Sequence, residues 1–242
     1  MSRGIGLIEW IRAVVPESTT PLFQLLSLPG DLLVIVPLLG LLYLSDVVRS
    51  LREASTQATA ERMRPLCSDR TAFVIGTVFG GLALVVVLES LFSLPRPPTE
   101  LHAIDASPHG FPSGHTMAAV VLWGALAQWS TIGRRSTRYV VAGVLIAGVG
   151  FSRLGLGVHY VVDIVAAIGF GGLYLWGVAV VTTRSPQRMF GIAVGIAVLA
   201  IVVSGANSRA LLALAGTMGA TVGWWVIEQP VIKRRLLRLS RL

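Results

Sequence analysis

The sequence predicts an all-α protein, a polytopic transmembrane helical bundle with six core helices, about one extra span and an N-terminal interfacial helix. Composition is the first ground for this: 54% of the 242 residues are hydrophobic, 13% are charged, and mean hydropathy is +0.75. A soluble core does not absorb that much apolar surface. The second is that apolar stretches of about 20 residues recur, each long enough to cross about 30 Å of hydrocarbon. The third is that basic residues gather in alternate connections, as expected of loops that stay on the cytoplasmic side.

The elements follow in order. Met1 to Val15 places Ile5, Ile8, Ile11 and Val15 near one helical face with Trp10 beside them, which predicts a short interfacial helix ended by Pro16. Glu9 and Arg12 inside that stretch argue against a secretory signal. Pro21 to Pro29 is expected to line the headgroup layer. Asp31 to Val48 reads as the first span, with Pro37 inside it as a kink. Arg49 to Arg70 is polar and reads as a loop with a short helix near Ala54 to Met63. Thr71 to Ser93 is the second span, and Leu94 to Gly110 is a loop whose Pro95, Pro97, Pro98 and Pro108 prohibit regular helix. Gly114 to Ser130 is the third span, Tyr139 to Phe151 a short fourth, and Ser152 to Val158 a loop. His159 to Val181, Met189 to Ser204 and Ala210 to Ile227 complete the spans, before a basic tail with Lys233, Arg234, Arg235, Arg238 and Arg241.

With alternating spans and a cytoplasmic tail, most of the twenty basic residues lie inside. The other face keeps Arg3, Arg12, Arg96, Arg153 and Arg209, so both polar motif loops are expected on the extracytoplasmic side. The net charge of +8 is accounted for by loops facing anionic lipid, and no basic stretch is interleaved with aromatics in the manner of a nucleic-acid groove. The single cysteine, Cys67, excludes an intramolecular disulfide and a thiolate cluster.

Ionisable groups in apolar sequence are costly unless they have partners or a task. Arg96, Pro112-Ser113-Gly114-His115, Ser152-Arg153, His159 and Asp163 cluster at the ends of spans two to five. On a helix starting near His159, Asp163 stacks one turn away and accepts from one ring nitrogen, leaving the other free as a nucleophile. Ser113 and Gly114 at a helix start make an anion cradle, with His115 placed as an acid. Arg96 and Arg153 fork onto phosphate oxygens. Taken singly each has a plainer reading: a snorkelling arginine, a capping histidine, a structural carboxylate, a turn. Their joint order favours a phosphate site. His102, His109, Glu100 and Asp105 share the outer loop but match no metal-ligand spacing, so neither metal nor cofactor is expected.

Arg96-Pro97, Pro112-Ser113-Gly114-His115, and Ser152-Arg153 followed by His159 and Asp163 resemble the three-part signature of the type 2 phosphatidic acid phosphatase superfamily, which shares motifs with vanadium-dependent haloperoxidases. The resemblance covers Glu89 to Asp163. It implies that His159 forms a phosphohistidine, Asp163 orients it, His115 protonates the leaving group, and Arg96, Ser113, Gly114 and Arg153 bind the phosphoryl oxygens, without a metal. One position departs: where the family usually carries a lysine, seven residues before the arginine, this chain has Glu89. Such an acid repels phosphate unless it is protonated or tied to an arginine such as Arg96 or Arg153.

The expected function is therefore a membrane lipid phosphatase acting on a phosphomonoester or diphosphate headgroup: phosphatidic acid, phosphatidylglycerophosphate or polyprenyl diphosphate. The alternatives are a phosphotransferase using a lipid phosphate donor, and a lipid-binding member weakened by Glu89. The expected partners are membrane lipids and no nucleic acid, and the expected location is the cell membrane. Residues 1–16 form the amphipathic segment, 21–228 the transmembrane phosphatase-like domain and 229–242 the cytoplasmic tail.

Overall fold

The computed structural model describes residues 5–56 and 65–239, all in helices, turns and loops apart from one isolated bridge between Pro95 and His109. A short α1 (Ile5–Val14) and α2 (Thr20–Ser27) lead through a tight turn at Leu28–Gly30 into α3 (Leu32–Thr56), which runs on through Pro37. Then come α4 (Asp69–Phe92), α5 (Gly114–Trp129), α6 (Arg135–Gly155), α7 (Val161–Val181), α8 (Pro186–Ser204), α9 (Ser208–Ile227) and α10 (Pro230–Leu239).

The centre of the bundle is α4. It packs along α8 and against α5 and α9, and α5 in turn packs against α6 and α7. In its most apolar window 72% of α4 is buried inside the protein, against 11% for α9, so α4 is a core helix and α9 a perimeter one. Close packing at the centre depends on small residues, because lipid tails are as apolar as leucine and only contact distance favours helix on helix. At Gly80, a Cβ would lie 2.6 Å from the Tyr174 hydroxyl and 3.1 Å from Ala193 Cβ. Its absence lets Tyr174 reach over and donate to the Thr77 carbonyl at 2.8 Å. Perimeter helices expose Leu33, Val202 and Leu212, as a lipid-facing surface requires.

Among the described residues, six segments are long and apolar enough to cross a bilayer: Glu17–Glu53, which holds most of α3, and the helices α4, α6, α7, α8 and α9. With 16 residues α5 spans only about 24 Å, because it begins just after the buried Ser113.

Several boundaries differ from those expected. Arg49, Arg52 and Glu53 belong to α3 and not to a loop, and most of the helix expected near residues 54–63 lies outside the described residues. The expected fourth span is longer at both ends, so Ser152 and Arg153 form the last turn of α6 where a loop was anticipated. The helix expected to start near His159 starts at Val161. Lys233, Arg234, Arg235 and Arg238 of the basic tail lie in α10, an amphipathic helix whose Lys233 lies 3.8 Å from Glu228.

Chain direction alternates from α3 to α9. The ends of α4, α6 and α8 and the starts of α3, α5, α7 and α9 therefore meet at one end of the bundle.

Candidate active site

The connection from α4 to α5 is folded by its own backbone. Gly110 N–H donates to the Leu94 carbonyl and Arg96 N–H to that of Pro108, closing the loop around the Pro95–His109 bridge. This turns Arg96 inward, where its guanidinium lies against Gly110. Arg96 Nε donates to the Ser107 carbonyl at 2.6 Å, Nη1 to the Val158 carbonyl at 2.9 Å, and Nη2 to Ser107 Oγ at 3.2 Å. Nη1 also lies 2.6 Å from His159 Nε2. Since arginine only donates, Nε2 accepts and the ring proton of the neutral imidazole is assigned to Nδ1.

Nδ1 faces Asp163 Oδ2 at 3.4 Å, and both side chains are 1% exposed. Asp163 is held from two directions. Its Oδ2 accepts from Tyr160 N–H at 2.9 Å as the capping group of α7, and its carbonyl accepts from Ser113 N–H at 3.1 Å. His159 thus sits just outside α7, and the carboxylate reaches back to it instead of stacking below it. Burial is the largest influence driving the His159 pKa well below its usual range, and the charges of Arg96, Arg153 and His115 act in the same sense. These groups therefore converge on one buried ring.

The start of α5 closes the site. Ser113 is fully buried, and its hydroxyl pairs with Thr116 Oγ1 at 2.9 Å. Its own N–H is committed to Asp163, so Gly114 contributes the first uncommitted amide side of this helix start. His115 is half-exposed and its Nε2 lies 3.4 Å from Asp31 Oδ2. Asp31 is fixed at the start of α3, where its Oδ1 accepts from Leu33 N–H at 2.8 Å, and the turn before it is tied to α5 by Trp123 Nε1 donating to the Pro29 carbonyl. Arg153 is 4% exposed, and no described residue accepts from its buried Nε. A buried donor left in that state costs about 1–3 kcal/mol unless something accepts from it.

Glu89 is 7% exposed at the end of α4 and is tied neither to Arg96 nor to Arg153, the two arginines named for it from the sequence. It pairs with Arg209 Nη1, from the first turn of α9. Its other oxygen lies against Gly114: a Cβ there would be 2.8 Å from Oε1, so only glycine admits the carboxylate at the helix start. The pair also acts on Arg96, whose pKa is lowered chiefly by burial and further by Arg209, while Glu89 and then Asp163 oppose the shift.

The structure thus brings together all the anticipated residues: Arg96, Ser113, Gly114, His115, Arg153, His159, Asp163 and Glu89. Asp31, Thr116 and Arg209 were not anticipated; the available signal was an ionisable residue at the start of an apolar span, at 31 and 209. His102 turns away and engages the Pro97 carbonyl at 3.0 Å, with its pKa lowered mainly by burial. At the opposite end of the bundle a recess of about 700 Å³ is lined by Asp46, Arg49, Glu53, Asp69, Arg70 and Lys233 among others, and by none of the site residues.

Residues 70–188 match the model of the PAP2 superfamily. A segment of 74 residues, 28% of this chain, is 32% identical to phosphatidylglycerophosphatase B of Bacillus subtilis strain 168, and it spans only 36% of that relative's length. The crystal structure of a transmembrane PAP2-type phosphatidylglycerolphosphate phosphatase from Bacillus subtilis superposes with a TM-score of 0.57 at 21% identity, covering 74% of this chain and 84% of that one. That likeness concerns the fold, and with the six long apolar helices it makes this an integral, multi-pass membrane protein. The motif residues from Glu89 to Asp163 lie at one end of that fold and inside residues 70–188, the segment that matches the PAP2 superfamily model.

Proposed function

We propose that this protein is a metal-independent lipid phosphatase that hydrolyses a phosphomonoester or diphosphate headgroup through a phosphohistidine intermediate. The observation that carries the reading is the convergence of two arginines and the α5 start on the buried His159, whose Nδ1 faces Asp163. A buried histidine that accepts from an arginine at one ring nitrogen and faces an aspartate at the other is oriented as a nucleophile is.

In this reading an arriving phosphoryl oxygen takes over the hydrogen bond that Arg96 Nη1 gives to His159 Nε2, which frees the Nε2 lone pair. Nε2 attacks phosphorus, the bond to the leaving oxygen breaks, and His115 gives that oxygen a proton. Asp163 accepts from Nδ1–H and stabilises the charge that the ring acquires. Arg153 Nε, Arg96 and the Gly114 amide receive the equatorial oxygens, where donors fixed in a water-poor site favour the transition state most. Water then attacks the phosphohistidine while His115 takes its proton, the P–N bond breaks, and inorganic phosphate leaves. Ser113 supports the cradle through Thr116.

The relative named a phosphatidylglycerophosphatase supports placing phosphatidylglycerophosphate among the candidate substrates with phosphatidic acid and polyprenyl diphosphate. The charge distribution supports an extracytoplasmic site in the cell membrane, with residues 21–228 as the phosphatase domain, 1–16 as an interfacial segment and 229–242 as a cytoplasmic tail. The test is phosphate release from these lipids in detergent, with and without chelator, by the wild type and His159→Ala. The reading expects chelator-insensitive release that His159→Ala abolishes, and equal background rates for both proteins would reject it.

A further inference from the structure

An acid buried beside a phosphate site requires an explanation, and the geometry of its partner supplies one. In the Glu89–Arg209 pair the Glu89 side chain is 7% exposed and the Arg209 side chain 50% exposed, so the positive member is the accessible one. Arg209 spends Nη1 on Glu89. Its Nη2 has no hydrogen-bond partner among the described residues, and lies 3.8 Å from where a Cβ on Gly114 would stand. It therefore points over the same α5 start that offers its amide to an anion. The backbone of α9 is fixed there: Asn207 Oδ1 accepts from Ala210 N–H at 2.9 Å, and Gly205 in the left-handed region ends α8 just before it. Alternation of the helices brings the start of α9 to the motif end, although it lies beyond residues 70–188.

We propose that Arg209 is a third phosphate-contacting arginine, delivered from α9, and that Glu89 is its positioning residue. The proposal rests on the phosphatase reading for its substrate and extends the site to a helix outside the matched segment. Glu89 holds one edge of the guanidinium so that the other edge forks onto a phosphoryl oxygen. The acid repels substrate little, because its charge is spent on Arg209.

A purely structural ion pair gives a different outcome when both charges are removed together. The full chain in detergent is assayed for lipid phosphate turnover as Arg209→Lys, Glu89→Gln and the double variant Glu89→Leu/Arg209→Leu, which leaves no buried charge unpaired. The proposal expects kcat/KM to fall about 10- to 100-fold in the double variant, chiefly through KM, with partial retention in Arg209→Lys. It expects a smaller fall in Glu89→Gln, where Arg209 keeps its charge and loses only the carboxylate that holds it. A folded double variant with wild-type kcat/KM would overturn it.

Inorganic phosphate binding, measured by calorimetry, separates this claim from the phosphatase reading. If wild type and His159→Ala release phosphate equally, the phosphatase reading has failed. The arginine proposal still expects phosphate to bind the wild type and its Kd to rise at least about fivefold in the double variant. No binding to the wild type, or an unchanged Kd, would overturn it.

Discussion

The two ends of the bundle carry charge in opposite ways. At the motif end, Arg153, His159, Asp163 and Glu89 are all buried, and their neighbours are backbone groups, one another and an arginine from a distant helix. At the opposite end, Arg49 and Glu53 pair at 2.8 Å one turn apart on α3 with side chains 78% and 52% exposed. A buried charge persists only where an organised set of partners or a ligand compensates its desolvation, whereas an exposed pair of this kind contributes little. Burial therefore separates the groups proposed for chemistry from groups that serve solubility and topology, although charged residues stand at both ends in the sequence.

That distinction breaks or sharpens under substitution. The largest effect is expected at the ring itself: His159→Ala should lower phosphate release at least about 10³-fold, because in the proposed mechanism both half-reactions pass through its Nε2. A detergent-solubilised rate assay on matched, folded samples checks this. Arg153→Ala should cost about 10²-fold and Arg153→Lys somewhat less, since a point charge replaces a fork while the cradle's other donors remain. Measuring kcat and KM separately would place the loss in kcat if Arg153 acts mainly on the transition state.

A third, smaller effect is one of pH and stability. The pKa of His159 is lowered in the folded protein, chiefly by burial, so below the usual histidine value of about 6.5 the unfolded chain binds the proton more readily. Its contribution is therefore complete above about pH 6.5 and is lost as pH falls below it. The melting temperature in detergent should decline from pH 7.5 to 5.0, and His159→Asn should flatten that decline; identical slopes would show that the ring does not titrate on unfolding. The smallest effect belongs to the other end. Arg49→Ala should leave turnover and melting temperature unchanged within error, and a marked loss of either would erase the contrast between the two ends.

Much of this architecture could be read from residue order. Apolar runs bounded by polar loops located α4, α5, α8 and α9 to within a few residues, because membrane-length hydrophobicity is a local property. The helix start at Ser113-Gly114 and the loop made by four prolines were equally local. The end of α6 was misjudged for a physical reason: Ser152 and Arg153 are polar, and polarity suggests a loop. Here the helix continues because Ser152 Oγ donates to the Val149 carbonyl at 2.7 Å and Arg153 is buried in the site. Asp31 and Arg209 reach His115 and Glu89 only through contacts between distant parts of the chain. Glu89 and Arg209 are 120 residues apart, and no spacing rule connects them. The alternation of helices that brings them together could be read, but the partner of Glu89 had to be seen.

The most direct test of the central claim is covalent. The protein is mixed with a lipid phosphate labelled in its phosphoryl group, quenched within the first turnover under alkaline conditions that preserve phosphohistidine, and mapped by mass spectrometry. The account predicts label on His159 in the wild type and none in His159→Ala. Label on another residue, or phosphate release by His159→Ala at the wild-type rate, would contradict it.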